Sequence, residues 1–223
     1  MPNETTTSAD TMTSEDTTAT EPATGAKYLA LGDSYTSGQS VPEAERFPSQ
    51  TVKLLRAQNI NIRDVEYIAT NGWTTTDLLS AINSQKPEKN LDIVSLLIGV
   101  NDQYEQRDTT GYGERFSALL NIAVGLAGGR NSRVFVLSIP DYSVTPFVPE
   151  KEKALVSMQI EQFNAINKEI TLQNNITYID ITPSTRQAAT DASLIANDGL
   201  HPSAKEYAVW ASMLAPLIKK ALQ

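Results

Sequence analysis

The 223-residue chain contains no cysteine, so disulfides and thiolate metal sites are excluded. It contains one histidine, His201, which excludes a zinc centre built from several imidazoles. Basic residues are outnumbered, 18 Lys and Arg against 26 Asp and Glu, and the resulting charge of −8 disfavours a nucleic-acid surface. Long apolar runs are missing too. The best, residues 93–100, has eight residues and includes Ser95 and Gly99, whereas a membrane span needs about 18. No apolar signal-peptide stretch opens the chain. Whatever chemistry the protein performs cannot rest on a thiol.

Two segments differ in composition. Residues 1–26 hold nine threonines, two serines, four alanines and five acids, with no base and no aromatic. Such a segment cannot bury enough apolar surface to offset the entropy of ordering it, so it is expected to be a disordered tail or linker. It is similar to the stretch that follows the anchor of a bacterial lipoprotein, which would place the protein outside the cytoplasm; an expendable terminus of a cytoplasmic protein reads the same way. Residues 27–223 carry 18 basic and 21 acidic side chains, a charge of −3, and have the length of one domain.

From Lys27 onward strands and helices alternate. Short β-rich runs at 28–31, 65–69, 93–98, 134–139 and 176–181 read as buried strands. Between them, Pro48 opens a helix running through Leu55, and Thr74 with Asp77 forms a cap before Leu78 and Leu79. Phe116, Leu119, Leu120 and Ala123 share one helical face; Leu155, Met158, Phe163, Ile166 and Ile170 share another. Ser203 with Glu206 reads as a capping box for a last helix that turns Tyr207, Trp210, Leu214 and Leu217 inward. Five such strands imply an α/β fold, a parallel sheet covered on both faces, with the strand order 2-1-3-4-5 common at this size. Its ligand crevice opens where the first and third strands diverge at their carboxyl ends.

The strand ends carry the polar motifs. The first strand runs into Gly32-Asp33-Ser34-Tyr35, which can present a serine hydroxyl beside a following backbone amide. Gly, Asp and Ser are equally ordinary turn residues, and a Ser/Thr/Gly loop there could cradle a phosphate. The third strand ends in Gly99-Val100-Asn101-Asp102, whose Asn amide can donate into the crevice or simply cap the next element. The second ends at Asn71-Gly72, where glycine permits close backbone approach to a ligand or makes a plain turn. Asp198-Gly199-Leu200-His201-Pro202 places a carboxylate three residues from the imidazole. A carboxylate on one ring nitrogen fixes the tautomer and leaves the other as a base. Asp33 and Asp102 are read as structural, holding their loops through backbone amides.

Taken together, Gly32-Asp33-Ser34, Gly72, Gly99-x-Asn101-Asp102 and Asp198-x-x-His201 resemble the four blocks of the SGNH (GDSL) hydrolase superfamily, in order, from Lys27 to the final helix. Tyr35 departs from the leucine of that name. The resemblance implies a flavodoxin-like three-layer fold and hydrolysis of a small-molecule ester without a metal or cofactor. It implies Ser34 as nucleophile, His201 as base and Asp198 as its orienting acid. The Ser34 and Gly72 amides and the Asn101 side chain would then form the oxyanion hole. Tyr35, Tyr104, Tyr142 and Phe147 are candidate substrate contacts. With no long insertion to form a lid, acetyl or short acyl esters are expected. An acyltransferase or lysophospholipase on the same triad, a flavodoxin-type FMN-binding protein, and a non-catalytic binding protein are the alternatives.

Overall fold

The computed structural model describes residues 24–106 and 108–223. The expected tail lies almost wholly outside the described residues; Ala26, assigned to it by composition, is instead the first residue of β1.

Five strands form one sheet in the order β2-β1-β3-β4-β5: β1 (Ala26–Gly32), β2 (Ile62–Ala69), β3 (Ile93–Leu97), β4 (Val134–Leu137) and β5 (Thr177–Ile179). All four pairings are parallel. This is the expected α/β architecture and strand order. All five residues of β3 and all four of β4 are buried, as befits strands covered on both faces. The last strand is shorter than expected because the Ile181 and Thr182 amides donate to the Ser138 hydroxyl instead of a strand carbonyl.

The helices are α1 (Ser34–Ser37), α2 (Phe47–Arg56), α3 (Thr75–Gln85), α4 (Val100–Gln106), α5 (Tyr112–Leu126), α6 (Glu150–Gln173), α7 (Thr182–Thr185) and α8 (Ala204–Leu222). α2 packs on α8, while α5 packs on both α3 and α6, giving the two helical layers. Phe47, Tyr207 and Trp210, all fully buried, join α2 to α8 through ring contacts. The apolar faces of α5 and α8 are the expected ones, with Phe116, Leu119, Leu120, Ala123, Trp210 and Leu214 buried and Leu217 half-buried. Thr74 and Asp77 form the expected capping box on α3.

Two expectations fail, both because a polar partner outbids a local rule. Leu155 and Met158 of α6 are 44% and 48% exposed, and Val156 and Ile160 take the buried positions. At this end α6 faces polar side chains: Ser157 donates to Asp141, and Gln159 accepts from Gln103 of α4, which turns the apolar pair outward. Ser203 does not cap α8 through its side chain. Its hydroxyl donates to the Ser193 carbonyl, and Glu206 turns inward to accept from Ser184 and Trp210.

Candidate active site

The first strand delivers Ser34 to the carboxyl edge of the sheet. A Cβ on Gly32 would sit 2.4 Å from the Leu97 carbonyl oxygen and 2.2 Å from Thr36 Oγ1, so only glycine allows β1 to end this close to β3. Asp33 then caps α1, its Oδ1 accepting the Tyr35 amide at 2.9 Å. Ser34 is the first residue of that helical turn. Its N–H therefore has no carbonyl partner within the helix and is free to face a ligand.

His201 comes from the loop before α8. Its Nε2 lies 3.0 Å from Ser34 Oγ, and its Nδ1 lies 2.7 Å from Asp198 Oδ2. Asp198 Oδ1 also accepts the Leu200 and His201 amides, each at 2.9 Å, folding the loop around its own carboxylate. Oδ2 takes a further bond from the Ser40 hydroxyl at 2.6 Å. Burial opposes ionisation of Asp198, but the hydrogen bonds from Ser40, the two amides and the imidazole outweigh it and hold the carboxyl well below its usual range. An ionised Asp198 can only accept, so Nδ1 carries a proton toward it, and in the neutral ring Nε2 then presents its lone pair to Ser34. Such a chain of hydroxyl, imidazole and carboxylate can strip the hydroxyl proton as the oxygen attacks an electrophile.

Asn101, half-buried in the first turn of α4, lines the same cleft and donates one Nδ2 hydrogen to the Trp73 carbonyl at 2.9 Å. That bond turns the other hydrogen away from Trp73. Gly72 adopts φ +81°, a left-handed conformation that favours glycine, and a side chain there would meet nothing within 4 Å. It is not among the residues lining the cleft. The two turns are nevertheless joined, through Asn101 and Trp73.

The cleft has a free volume of about 160 Å³, bounded by Ser34, His201 and Asn101 and by apolar side chains of Val100, Tyr104, Phe147 and Leu200. Of the expected substrate contacts, Tyr104 and Phe147 stand at its lip, 51% and 48% exposed, with ring centroids 6.3 Å apart. Tyr142 lies deeper, its hydroxyl donating to Gln103. Tyr35 borders the cleft but is buried, its ring 5.4 Å from that of His201 and 6.4 Å from that of Trp210. It therefore backs the imidazole more than it meets the opening. Asp141 stiffens the 140–149 wall, accepting from the Ser143 amide, the Ser157 hydroxyl and Arg186 Nε. Ser40 was not legible as a site residue: it meets Asp198 across 158 positions of sequence, and no motif marks it. Its φ of +70° is unusual for a residue with a side chain.

Asp33 is fully buried, and burial pushes its carboxyl up to about 8, against the Tyr35 amide and with help from the Asp102 charge. In the unfolded chain it would ionise near 3.8. The folded form thus retains a proton that the unfolded form loses, so this group's contribution to stability declines as pH rises from about 4 to about 8. Asp33→Asn removes that term. Its urea midpoint, relative to the parent's, is expected to rise between pH 5 and pH 8, by an amount on the order of a few kcal/mol in stability. A constant difference across that range would show that Asp33 ionises in the folded state.

A family model described as the GDSL-like lipase/acylhydrolase family matches residues 30–209. Among solved structures, the chain resembles a lipase/acylhydrolase from Enterococcus faecalis at 20% identity and a TM-score of 0.67, covering 87% of this chain and 96% of that one. It resembles the acetylxylan esterase Axe2 from Geobacillus stearothermophilus at 22% identity and 0.64, covering 87% and 95%. The psychrotrophic esterase EstA from a Pseudoalteromonas species gives 17% identity and 0.66, covering 88% and 98%. At these identities the solved structures attest the fold. No curated protein matches the chain in sequence. Among the described residues, no helix is long and apolar enough to cross a membrane. The family model spans all four motifs and ends within α8, and the chain belongs to the GDSL-like lipase/acylhydrolase family: it is a hydrolase acting on esters.

Proposed function

We propose that the protein is a serine esterase for acetyl or short acyl esters, working through Ser34, His201 and Asp198. The observation that carries this reading is the unbroken chain of contacts, 3.0 Å from Ser34 Oγ to His201 Nε2 and 2.7 Å from Nδ1 to Asp198. Ser34 Oγ attacks the acyl carbon while its proton passes to Nε2. Asp198 stabilises the imidazolium that forms. The developing oxyanion is met by the Ser34 and Gly72 N–H groups and by Asn101 Nδ2. Collapse expels the alcohol, which takes the proton from Nε2 and leaves an acyl-Ser34. Water, deprotonated by His201, then releases the acid and restores the serine.

The preference for short chains follows from the cleft. Each methylene laid on an apolar wall contributes about 0.8 kcal/mol, close to a fourfold gain, for as long as the wall lasts. Here the wall is the short apolar arc from Val100 to the lip formed by Tyr104 and Phe147. The values of kcat/KM for 4-nitrophenyl esters are expected to rise from acetyl to butyryl and then to level off or fall at octanoyl and palmitoyl. A fluorophosphonate should label Ser34, with Ser34→Ala as the blank. A continuous rise to palmitoyl would overturn the short-acyl assignment in favour of a lipase, and an unlabelled Ser34 would overturn the mechanism.

A further inference from the structure

Asp102 takes no part in the proposed proton transfers, yet it is almost completely buried, at 1% exposure. Its Oδ2 accepts the Thr75 amide at 2.8 Å, and its Oδ1 accepts the Thr75 hydroxyl at 2.5 Å. Arg115 completes the cluster: its Nε donates to Thr75 Oγ1 at 3.0 Å, and its Nη2 lies 3.4 Å from Asp102 Oδ1. Thr75 is itself fully buried.

The position of this cluster is informative. Asp102 immediately follows Asn101 in the first turn of α4, and Thr75, which opens α3, lies three residues after Gly72 of the β2–α3 turn. The Asn101 bond to the Trp73 carbonyl crosses the same seam. Two turns far apart in sequence are thus fastened together within three residues of both proposed oxyanion donors. Capping does not require the fastening, because Thr74 and Asp77 already cap α3. Nor is a buried carboxylate an economical source of stability, since an apolar pair of similar volume often serves as well or better. A carboxylate beside an oxyanion hole would ordinarily oppose the charge that develops there. This one is directed away from it, into an amide, a hydroxyl and a guanidinium.

We infer that Asp102 and Thr75, supported by Arg115, are positioning residues that hold the Asn101 side chain and the Gly72 amide in register for one oxyanion. The inference rests on the proposed role of those two donors. Donors of this kind act only within about 2.7–3.1 Å of the developing oxygen, so a small relative slip of the two turns weakens both. The transition state is affected more than substrate binding.

The test is a double-mutant cycle on 4-nitrophenyl acetate. Thr75→Val preserves shape and the backbone N–H but removes the hydroxyl; kcat is expected to fall about tenfold with KM changed less than about twofold. Thr75→Ser restores the hydroxyl and should recover most of the loss. With Asn101→Ala in place, the cost of Thr75→Val should shrink to about threefold or less, because half of what the cluster positions has gone. Should Thr75→Val fail to fold, Arg115→Met, at a side chain 27% exposed, takes its place in the same cycle with the same expected coupling. A silent Thr75→Val, a loss expressed in KM alone, or full additivity with Asn101→Ala would overturn the positioning role. The proposed oxyanion hole has its own outcome: if Asn101→Ala alone leaves kcat unchanged, that reading and this one fall together.

Discussion

Ser34→Ala and His201→Ala are each expected to lower kcat by roughly 10⁶, and the double variant should be scarcely worse than either. The non-additivity follows from the geometry. Ser34 Oγ has one ring nitrogen in reach, and the chain holds one histidine, so a hydroxyl without the imidazole is as ineffective as an imidazole without the hydroxyl. Asp198→Asn should cost somewhat less, about 10⁴, because an amide can present an N–H to Nδ1 and so favour the wrong tautomer. Asp198 is held well below the usual carboxylate range, so its carboxylate remains an acceptor for Nδ1. Substantial turnover in His201→Ala, or a double variant a further 10⁴ below the singles, would show that serine and histidine do not act as a unit.

The proximity of Ser34, His201 and Asp198 was legible in the sequence because each stands in a short motif at a loop. Gly32-Asp33-Ser34 is legible because the strand before it is apolar and the turn after it is polar. Asp198 and His201 are legible because three residues across a glycine are enough for the carboxylate to reach the ring. The sheet order also followed from the alternation of elements. Ser40 marks the limit: its hydroxyl reaches Asp198 only because the chain turns left-handed at that residue, and a turn of that kind leaves no local signature. Thr75 was hidden differently, beside a capping threonine whose own role was plain.

The failures on α6 and α8 have a common physical cause. Periodicity assumes that an inward face is apolar. At the amino-terminal end of α6 the neighbours are Asp141 and Gln103, whose polar atoms reward Ser157 and Gln159 for turning inward. Glu206 likewise gives up an N-terminal cap for two donors, half-buried Ser184 and buried Trp210. A capping box is worth about 1 kcal/mol, so hydrogen bonds to a buried carboxylate readily exceed it. Those donors are tertiary neighbours and cannot be read from the local pattern.

Asn101 is where the distinction between a structural amide and a functional one can be drawn most sharply. Asn101→Ala is expected to lower kcat by about 10²–10³, the usual loss for a single oxyanion donor. The bond to the Trp73 carbonyl is also lost, but one hydrogen bond at a half-buried position contributes only about 1 kcal/mol to stability. Activity should therefore fall far more than the urea midpoint does. Asn101→Asp separates the two roles further. A carboxylate cannot donate to Trp73, and it would set a negative charge where the acyl oxygen becomes negative, so the loss should exceed that of alanine. Measured as kcat on 4-nitrophenyl acetate, the expected ranking is asparagine, then alanine, then aspartate. An aspartate variant as active as the parent would reduce Asn101 to a tie between two turns and leave the oxyanion to backbone amides alone.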